Sequence, residues 1–371
     1  MAAALEGLSV VDVAGTVATS YCAKLFNDYG ARVVNLEPDK GFETRLLPPL
    51  VPDVTAAEAS AMHAWLHAGK LSVQRSALGA NELNKLIESA DLILDNGENA
   101  NLIAANPNVR AIISWFGAGK AYADHSGSDG LCFALNGMLR TIGRIEGPPL
   151  IPTGYQAQIV GGNTAFIGAM GEVLAGELGN RQSAVDLETS ILEATMCFTE
   201  VGTIGSYNTD IHAERMGINR YPPTYPMGVY PCKDGWLGVT ALTPSQWHSF
   251  CDLLGMQEFA RVPLFQSAIG RLEAADVFEP LIREKLLEFN AEELFYRGQK
   301  NAVPLARVPT MEELFAVDQF VDRNAFSTLE LAGEKHLQAP GIPFRLFATP
   351  PAPGGRVAPL GADTLKVSKL L

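Results

Sequence analysis

Residues 5–41 read LEGLSVVDVAGTVATSYCAKLFNDYGARVVNLEPDKG, and this stretch decides the fold class. Leu8–Val13 is an apolar run of strand length. Apolar positions then recur at helical spacing across Thr16–Asp28, and Gly30 closes that helix. Val33–Glu37 is a second run rich in β-branched residues. A strand, a helix and a strand in so short a span form a β-α-β unit, which requires parallel strands. Further strands are expected at Asp91–Leu94, Ala111–Ser114 and Ser183–Leu187. Helices are expected at Asp129–Ile142, Ile159–Leu178 and Glu188–Ser206. Strands alternating with helices predict an α/β fold, a Rossmann-like parallel sheet covered on both faces.

The texture changes at 219–236, NRYPPTYPMGVYPCKDGW. Prolines loosen the chain, and a Lys-Asp-Gly turn then separates Gly228–Pro231 from Trp236–Thr240, a hairpin signal. Amphipathic helices follow at about 244–253, 271–289 and 291–299. The expected organisation is a large Rossmann-like domain over 1–218 and a smaller α+β domain over 225–330. Residues 331–371 form a Pro/Gly-rich strap returning to the large domain. No internal repeat is visible.

With 371 residues, 47% hydrophobic and 19% charged, the chain has the composition of a well-buried globular protein. Its net charge of −13 opposes nucleic acid or an anionic membrane as principal partner, since both need a cationic footprint. An anionic ligand would need a local cluster of Lys, Arg and helix N-termini. Cys22, Cys132, Cys197, Cys232 and Cys251 are scattered, with no C-x-x-C pair. Zinc and redox motifs are therefore unsupported, and a reducing cytoplasm fits. The start lacks a basic n-region and a sustained apolar core, and Gly, Asn or charge interrupts the apolar runs before membrane-spanning length. A cytoplasmic location is expected.

Several motifs fail on their missing members. An acidic Glu37 ending the second strand suits a dinucleotide ribose, but DVAGTVAT carries only Gly15 of the glycine fingerprint. FGAGKAY (116–122) imitates the end of a phosphate loop, yet Ser114 and Ala121 replace its required glycine and hydroxyl. His63 and His67 would share a helix face, but Ala64 stands where a zincin needs Glu, so they are expected as helical surface histidines. SGSDG (126–130) is no nucleophile elbow, and Asp129 is expected to cap the helix it precedes.

Residues 151–166, IPTGYQAQIVGGNTAF, are the most site-like segment. Tyr155 leads into a helix whose first turns are small and apolar, and Gly161 and Gly162 admit a close neighbour. The polar groups there, Gln156 and Gln158, are amides, neither acid nor base nor useful nucleophile.

The ordered set of LEGLSVVDVAGTVATSYCAKLFNDYGARVVNLEPDKG, WLHAGKLSV, SWFGAGKAYAD, GSDGLCFALNGMLRTIG and MGVYPCKDGWLGV resembles the family III CoA-transferases. That family includes formyl-CoA transferase, carnitine CoA-transferase and α-methylacyl-CoA racemase. The resemblance runs from about residue 5 to residue 363. It implies the same two-domain fold, an interlocked dimer, and CoA or acyl-CoA as ligand with no covalently bound cofactor and no metal. It also implies a catalytic aspartate that attacks the donor thioester, and the family's pattern places Gln158 at that position. The racemases' histidine falls at Ser128, so both proton carriers of racemisation are absent.

Gly15 replaces a polar residue found in many members, and Glu98 in NGENA (96–100) stands where an arginine would meet CoA phosphate. Ala18, Arg45, Lys70 and Asn96 remain as candidate CoA contacts. Arg45 and Lys70 are either phosphate ligands or ordinary surface cations. Three functions follow. The first is the aspartate-lacking subunit of a hetero-oligomeric acyl-CoA:carboxylate CoA-transferase, paired with a homologous aspartate-bearing chain. The second is lyase, dehydratase or cyclase chemistry on a thioester, with Gln158 as a hydrogen-bond donor and Asp129 or Tyr155 moving protons. The third is a non-catalytic binding protein.

Overall fold

The computed structural model describes residues 2–103, 107–119, 121–207 and 214–371. Lys120 of the glycine-rich loop lies outside the described residues. Contacts divide the chain into two units. The larger comprises Met1–Met138, Ile151–Asp210 and Gln319–Leu371, the smaller Leu139–Leu150 and Ile211–Asp318. The chain thus joins the larger unit from Gln319, earlier than the expected boundary at 330.

The larger unit is built on six parallel strands: β1 (Ser9–Asp12), β2 (Arg32–Glu37), β3 (Leu71–Gln74), β4 (Leu92–Asp95), β5 (Val109–Ser114) and β6 (Val185–Ser190). Their order is β3-β2-β1-β4-β5-β6. Val10 is paired with Val33 on one side and Leu92 on the other, which puts β1 at the centre. Val10, Leu92, Ile93 and Leu94 are fully buried, as expected of strands covered on both faces. The strand order reverses between β1 and β4. In such sheets the crevice at the carboxyl ends of those two strands is the natural ligand site.

The first helices of the larger unit are α1 (Val17–Asp28), α2 (Ala61–His67), α3 (Ala80–Glu88), α4 (Asp129–Leu135) and α5 (Gln156–Glu177). Thr16 caps α1 by accepting a hydrogen bond from the Thr19 backbone N–H at 3.2 Å. α5 lies against α1, with Gly162 at the crossing. A Cβ there would stand 2.4 Å from the Ala18 carbonyl oxygen, so only glycine permits this approach. α4 ends at Leu135, well short of the expected Ile142, because Gly137 takes a positive φ of 86°. The expected helix over 188–206 begins as strand, since β6 continues to Ser190, and is then broken into short helical segments at Ile191–Ala194, Thr195–Phe198 and Glu200–Tyr207. α5 also corrects the reading that every apolar run is broken early. Among the described residues it is the one helix that meets the length and composition needed to cross a membrane.

In the tail, β10 (Phe326–Glu330) pairs with β11 (His336–Pro340) antiparallel and with β12 (Gly355–Arg356) parallel. Asp363 then accepts from the Ser72 backbone N–H at 3.1 Å, fastening the end of the chain to β3. In the smaller unit β7 (Met227–Cys232), β8 (Gly235–Thr240) and β9 (Leu305–Arg307) form an antiparallel sheet. Trp247, Phe250, Phe278 and Ile282 belong to its core.

Candidate functional site

A cavity of about 870 Å³ opens at the carboxyl edge of the parallel sheet. Gly15, Thr16 and Val17 follow β1, Asn96 and Gly97 follow β4, and Ser114 and Trp115 end β5, so all three contribute wall. Residues 123–127, Tyr155 and Gln158 complete it. This is the reversal point that the strand order marks. Its charges run against polyanion binding. Among the described lining residues, Glu43, Glu98 and Asp124 are acids, His125 is the one basic group, and there is no lysine or arginine.

Gln158 is nine-tenths buried in the third position of α5. Asp129 reaches it with both oxygens. Oδ1 accepts from the Gln158 backbone N–H and Oδ2 from the side-chain Nε2, each at 3.1 Å. Asp129 therefore does not cap its own helix, which is a correction. Ser128 does that, accepting from the Leu131 N–H at 3.3 Å, while the Asp129 carboxylate caps α5 from outside. The arrangement follows from Tyr155, which precedes α5 without a side-chain acceptor of its own. A negative charge so placed is also favoured by the helix dipole. Tyr155 lines the cavity, half-buried.

Gly15 has a positive φ of 62°, and a Cβ there would fall 2.0 Å from the Phe42 ring. Phe42, itself buried, therefore fills the space that a side chain at position 15 would need. The turn is held by Asp12 Oδ1, which accepts from the Ala14 and Gly15 N–H groups at 3.1 and 3.0 Å. Sequence reading identified Gly15 but not Phe42, which lies 27 residues on and carries no motif.

Of the four candidate CoA contacts only Asn96 is on the wall. Its Oδ1 accepts from the Glu98 N–H at 3.2 Å, folding the loop on itself. Ala18 is fully buried beneath α5. Arg45 is buried too and makes a two-pronged pair with Glu37, Nε to Oε2 and Nη2 to Oε1, both 2.7 Å. The same carboxylate accepts from Ser72 Oγ at 2.6 Å and from the Phe42 N–H at 3.1 Å. That saturates Glu37 and explains why it reads no ribose. Lys70 is buried and donates to the Ser20 carbonyl at 2.8 Å. Burial pulls the Lys70 ammonium down to about 7, against the opposing field of Asp12. Neither is an ordinary surface cation, and both have internal partners.

His63 and His67 are likewise not surface histidines. Both are buried, stacked 4.1 Å apart, and bonded to one hydroxyl, Thr44 Oγ1, at 2.9 and 3.2 Å. Burial holds His63 down to about 2, with Arg45 and Lys70 adding to it, and holds His67 well below the usual imidazole range. Thr44 is on the cavity wall, so this neutral pair is a packed layer behind it. No cluster of three or more metal-ligating side chains occurs among the described residues.

The pattern of CoA-transferase family III matches residues 5–364. The succinate–glutarate CoA-transferase of Agrobacterium fabrum is 24% identical over 93% of this chain and 90% of its own length. The succinyl-CoA:mesaconate CoA-transferase of Haloarcula hispanica is 25% identical over 96% of this chain and 93% of its own. The succinyl-CoA–L-malate CoA-transferase alpha subunit of Chloroflexus aurantiacus is 24% identical over 99% and 88%. Among solved structures, a CAIB/BAIF family protein from Brucella suis superposes with a TM-score of 0.87 at 20% identity, covering all of both chains. A hypothetical protein from Mycobacterium tuberculosis gives 0.78 at 18%, covering 99% of each. The chain belongs to CoA-transferase family III.

Proposed function

We propose that this member of CoA-transferase family III is the non-nucleophilic partner in an acyl-CoA:carboxylate CoA-transferase, and that Gln158 stands where the family's catalytic aspartate would. The observation that carries this reading is the pair at the cavity wall. Residue 158 is an amide, and the neighbouring carboxylate is consumed in holding it. An amide is too weak a nucleophile to open a thioester at neutral pH. Asp129 cannot easily stand in, because both its oxygens accept hydrogen bonds from residue 158.

Two features support a second chain. Among the described lining residues there is no lysine or arginine for CoA phosphates, which leaves a role for cations from a second chain. Ile167 and Leu174 on α5, with Leu131 and Leu135 on α4, are about half exposed or more and ask for a cover. A family relative named as an alpha subunit makes a related, aspartate-bearing chain a reasonable partner. Interlocking as homodimer or heterodimer would supply that cover.

The test is adduct trapping. The chain purified alone, incubated with a panel of acyl-CoA donors that includes butyryl-CoA, 3-hydroxybutyryl-CoA and succinyl-CoA and then with hydroxylamine, should carry no hydroxamate on any residue by mass spectrometry. Native mass spectrometry of the protein drawn from its own host should show a second, related chain. A covalent adduct together with CoA transfer by the isolated chain would overturn the proposal.

A further inference from the structure

We infer that Gln158 reads the acyl group of the ligand as a hydroxyl sensor, so the cavity favours a neutral hydroxyacyl thioester over one ending in a carboxylate. This rests on the acyl-CoA reading above and specifies its ligand. The Asp129 contacts fix which way the amide faces. Nε2 donates to Oδ2 at 3.1 Å, and the reversed amide would press Oε1 against a carboxylate, which the electrostatics forbid. The backbone N–H of residue 158 donates to Oδ1, so the carboxylate cannot swing away without uncapping α5.

Gln158 lines the cavity, and its Oε1 and the second N–H of Nε2 have no protein partner among the described residues. The wall therefore presents one acceptor and one donor side by side. A hydroxyl matches that pair, because it donates one hydrogen bond and accepts another. A carboxylate does not. It can only accept, and it would sit near the charge of Asp129, with Glu43, Glu98 and Asp124 elsewhere on the wall and no described lysine or arginine to oppose them. A plain alkyl chain would leave the amide's polar atoms buried and unpaired. Asp129 is thus a positioning residue, acting through the amide it holds.

The experiment measures affinities for butyryl-CoA, 3-hydroxybutyryl-CoA, 2-hydroxybutyryl-CoA, succinyl-CoA and free CoA by calorimetry, using the protein in its native complex. One of the hydroxyacyl thioesters should bind at least about tenfold tighter than butyryl-CoA, with succinyl-CoA weakest of the thioesters. Gln158→Met, which keeps the volume and removes the hydrogen bonds, should abolish the hydroxyl preference while leaving free CoA affinity unchanged. Asp129→Asn should let the amide turn over and should narrow the penalty against succinyl-CoA, a change in ranking that a merely structural role would not produce. Circular dichroism verifies that both variants fold. Equal affinities across the thioesters, or a preference for succinyl-CoA, would overturn this inference and leave the acyl-CoA reading standing. Failure of every thioester and of free CoA to bind would overturn both.

Discussion

Replacing Gln158 by Asp restores a carboxylate to the wall, but it sets that carboxylate beside Asp129. In the native chain Asp129 oxygens lie 3.1 Å from both nitrogens of residue 158. The shorter Asp side chain would bring two carboxylates to about 5 Å. At an effective dielectric of about 20 their repulsion is about 3 kcal/mol, or about two pKa units. A like charge disfavours ionisation, so the new group should titrate near 6 rather than near 4. In the window between those values the folded state binds more protons than the unfolded one. Stability should therefore fall as pH rises through it, by about 3 kcal/mol in all. Two assays read this. Urea denaturation of the variant should show that loss between pH 4 and pH 7, beyond whatever change the native chain shows over the same interval. Any succinyl adduct on the introduced carboxylate should form with an apparent midpoint near pH 6. Adding Asp129→Asn should return both to ordinary carboxylate behaviour. A single variant as stable relative to the native chain at pH 7 as at pH 4, with adduct formation already complete at pH 5, would refute the geometry given to the pair.

Two further outcomes follow from the packing around the cavity. His63 and His67 are held neutral in the fold, so below pH 6.5 the unfolded chain takes up protons that the native chain refuses. Stability is then complete above that pH and falls as pH drops below it, at about 1.4 kcal/mol per pH unit for each imidazole that stays neutral in the fold, His63 doing so down to about 2. Urea titrations at pH 7 and 5 should differ by this slope, and the double variant H63L/H67L should lack it. At the helix crossing, Gly162→Ala sets a methyl group 2.4 Å from the Ala18 carbonyl and should cost about 2 kcal/mol of overpacking, despite alanine's better helix propensity. A melting temperature equal to or above the parent's would show that α1 and α5 are not in contact there.

Five of the six parallel strands were legible because their evidence is local, while the short edge strand β3 (Leu71–Gln74) was not read. Apolar runs such as Leu8–Val13 and Val33–Glu37 name their own strands, and parallel pairing follows from the intervening helix. Helix ends were less so, since α4 stops on the conformation of Gly137, which a count of apolar positions does not register. Side-chain partners were the hardest. Arg45 and Glu37 are eight residues apart and read separately as a cation and a ribose ligand, yet they neutralise each other. His63 and His67 obey helical spacing on any face, and the hydroxyl both of them meet in the interior belongs to Thr44, nineteen residues upstream of His63, which has no motif at all. Asp129 was read as the cap of the helix it precedes, and that was wrong, because Ser128 caps that helix and Asp129 caps another. The helix it caps begins 27 residues later, at a position that only the fold brings near.

These misreadings share a cause. Arg45, Lys70 and Glu37 are charges that the sequence reading weighed as ligand contacts, and the structure places all three in the interior, together with Asp12. Each is held by a specific contact: Arg45 on Glu37, Lys70 on the Ser20 carbonyl, and Asp12 on the Ala14 and Gly15 turn. Taking one partner away would strand the other in low dielectric, which costs far more than breaking a surface pair. These charges are thereby committed to the fold and cannot turn outward to meet a ligand. The described cavity wall carries the acids Glu43, Glu98 and Asp124, the amides Asn96 and Gln158, and His125, set among hydroxyl, aromatic and aliphatic side chains such as Thr16, Ser114, Trp115 and Ile191. The proposed preference for a neutral group recognised by hydrogen bonds fits this distribution among the described residues. On the reading proposed above, the amide at 158 and the carboxylate at 129 are the two side chains on which ligand choice would turn.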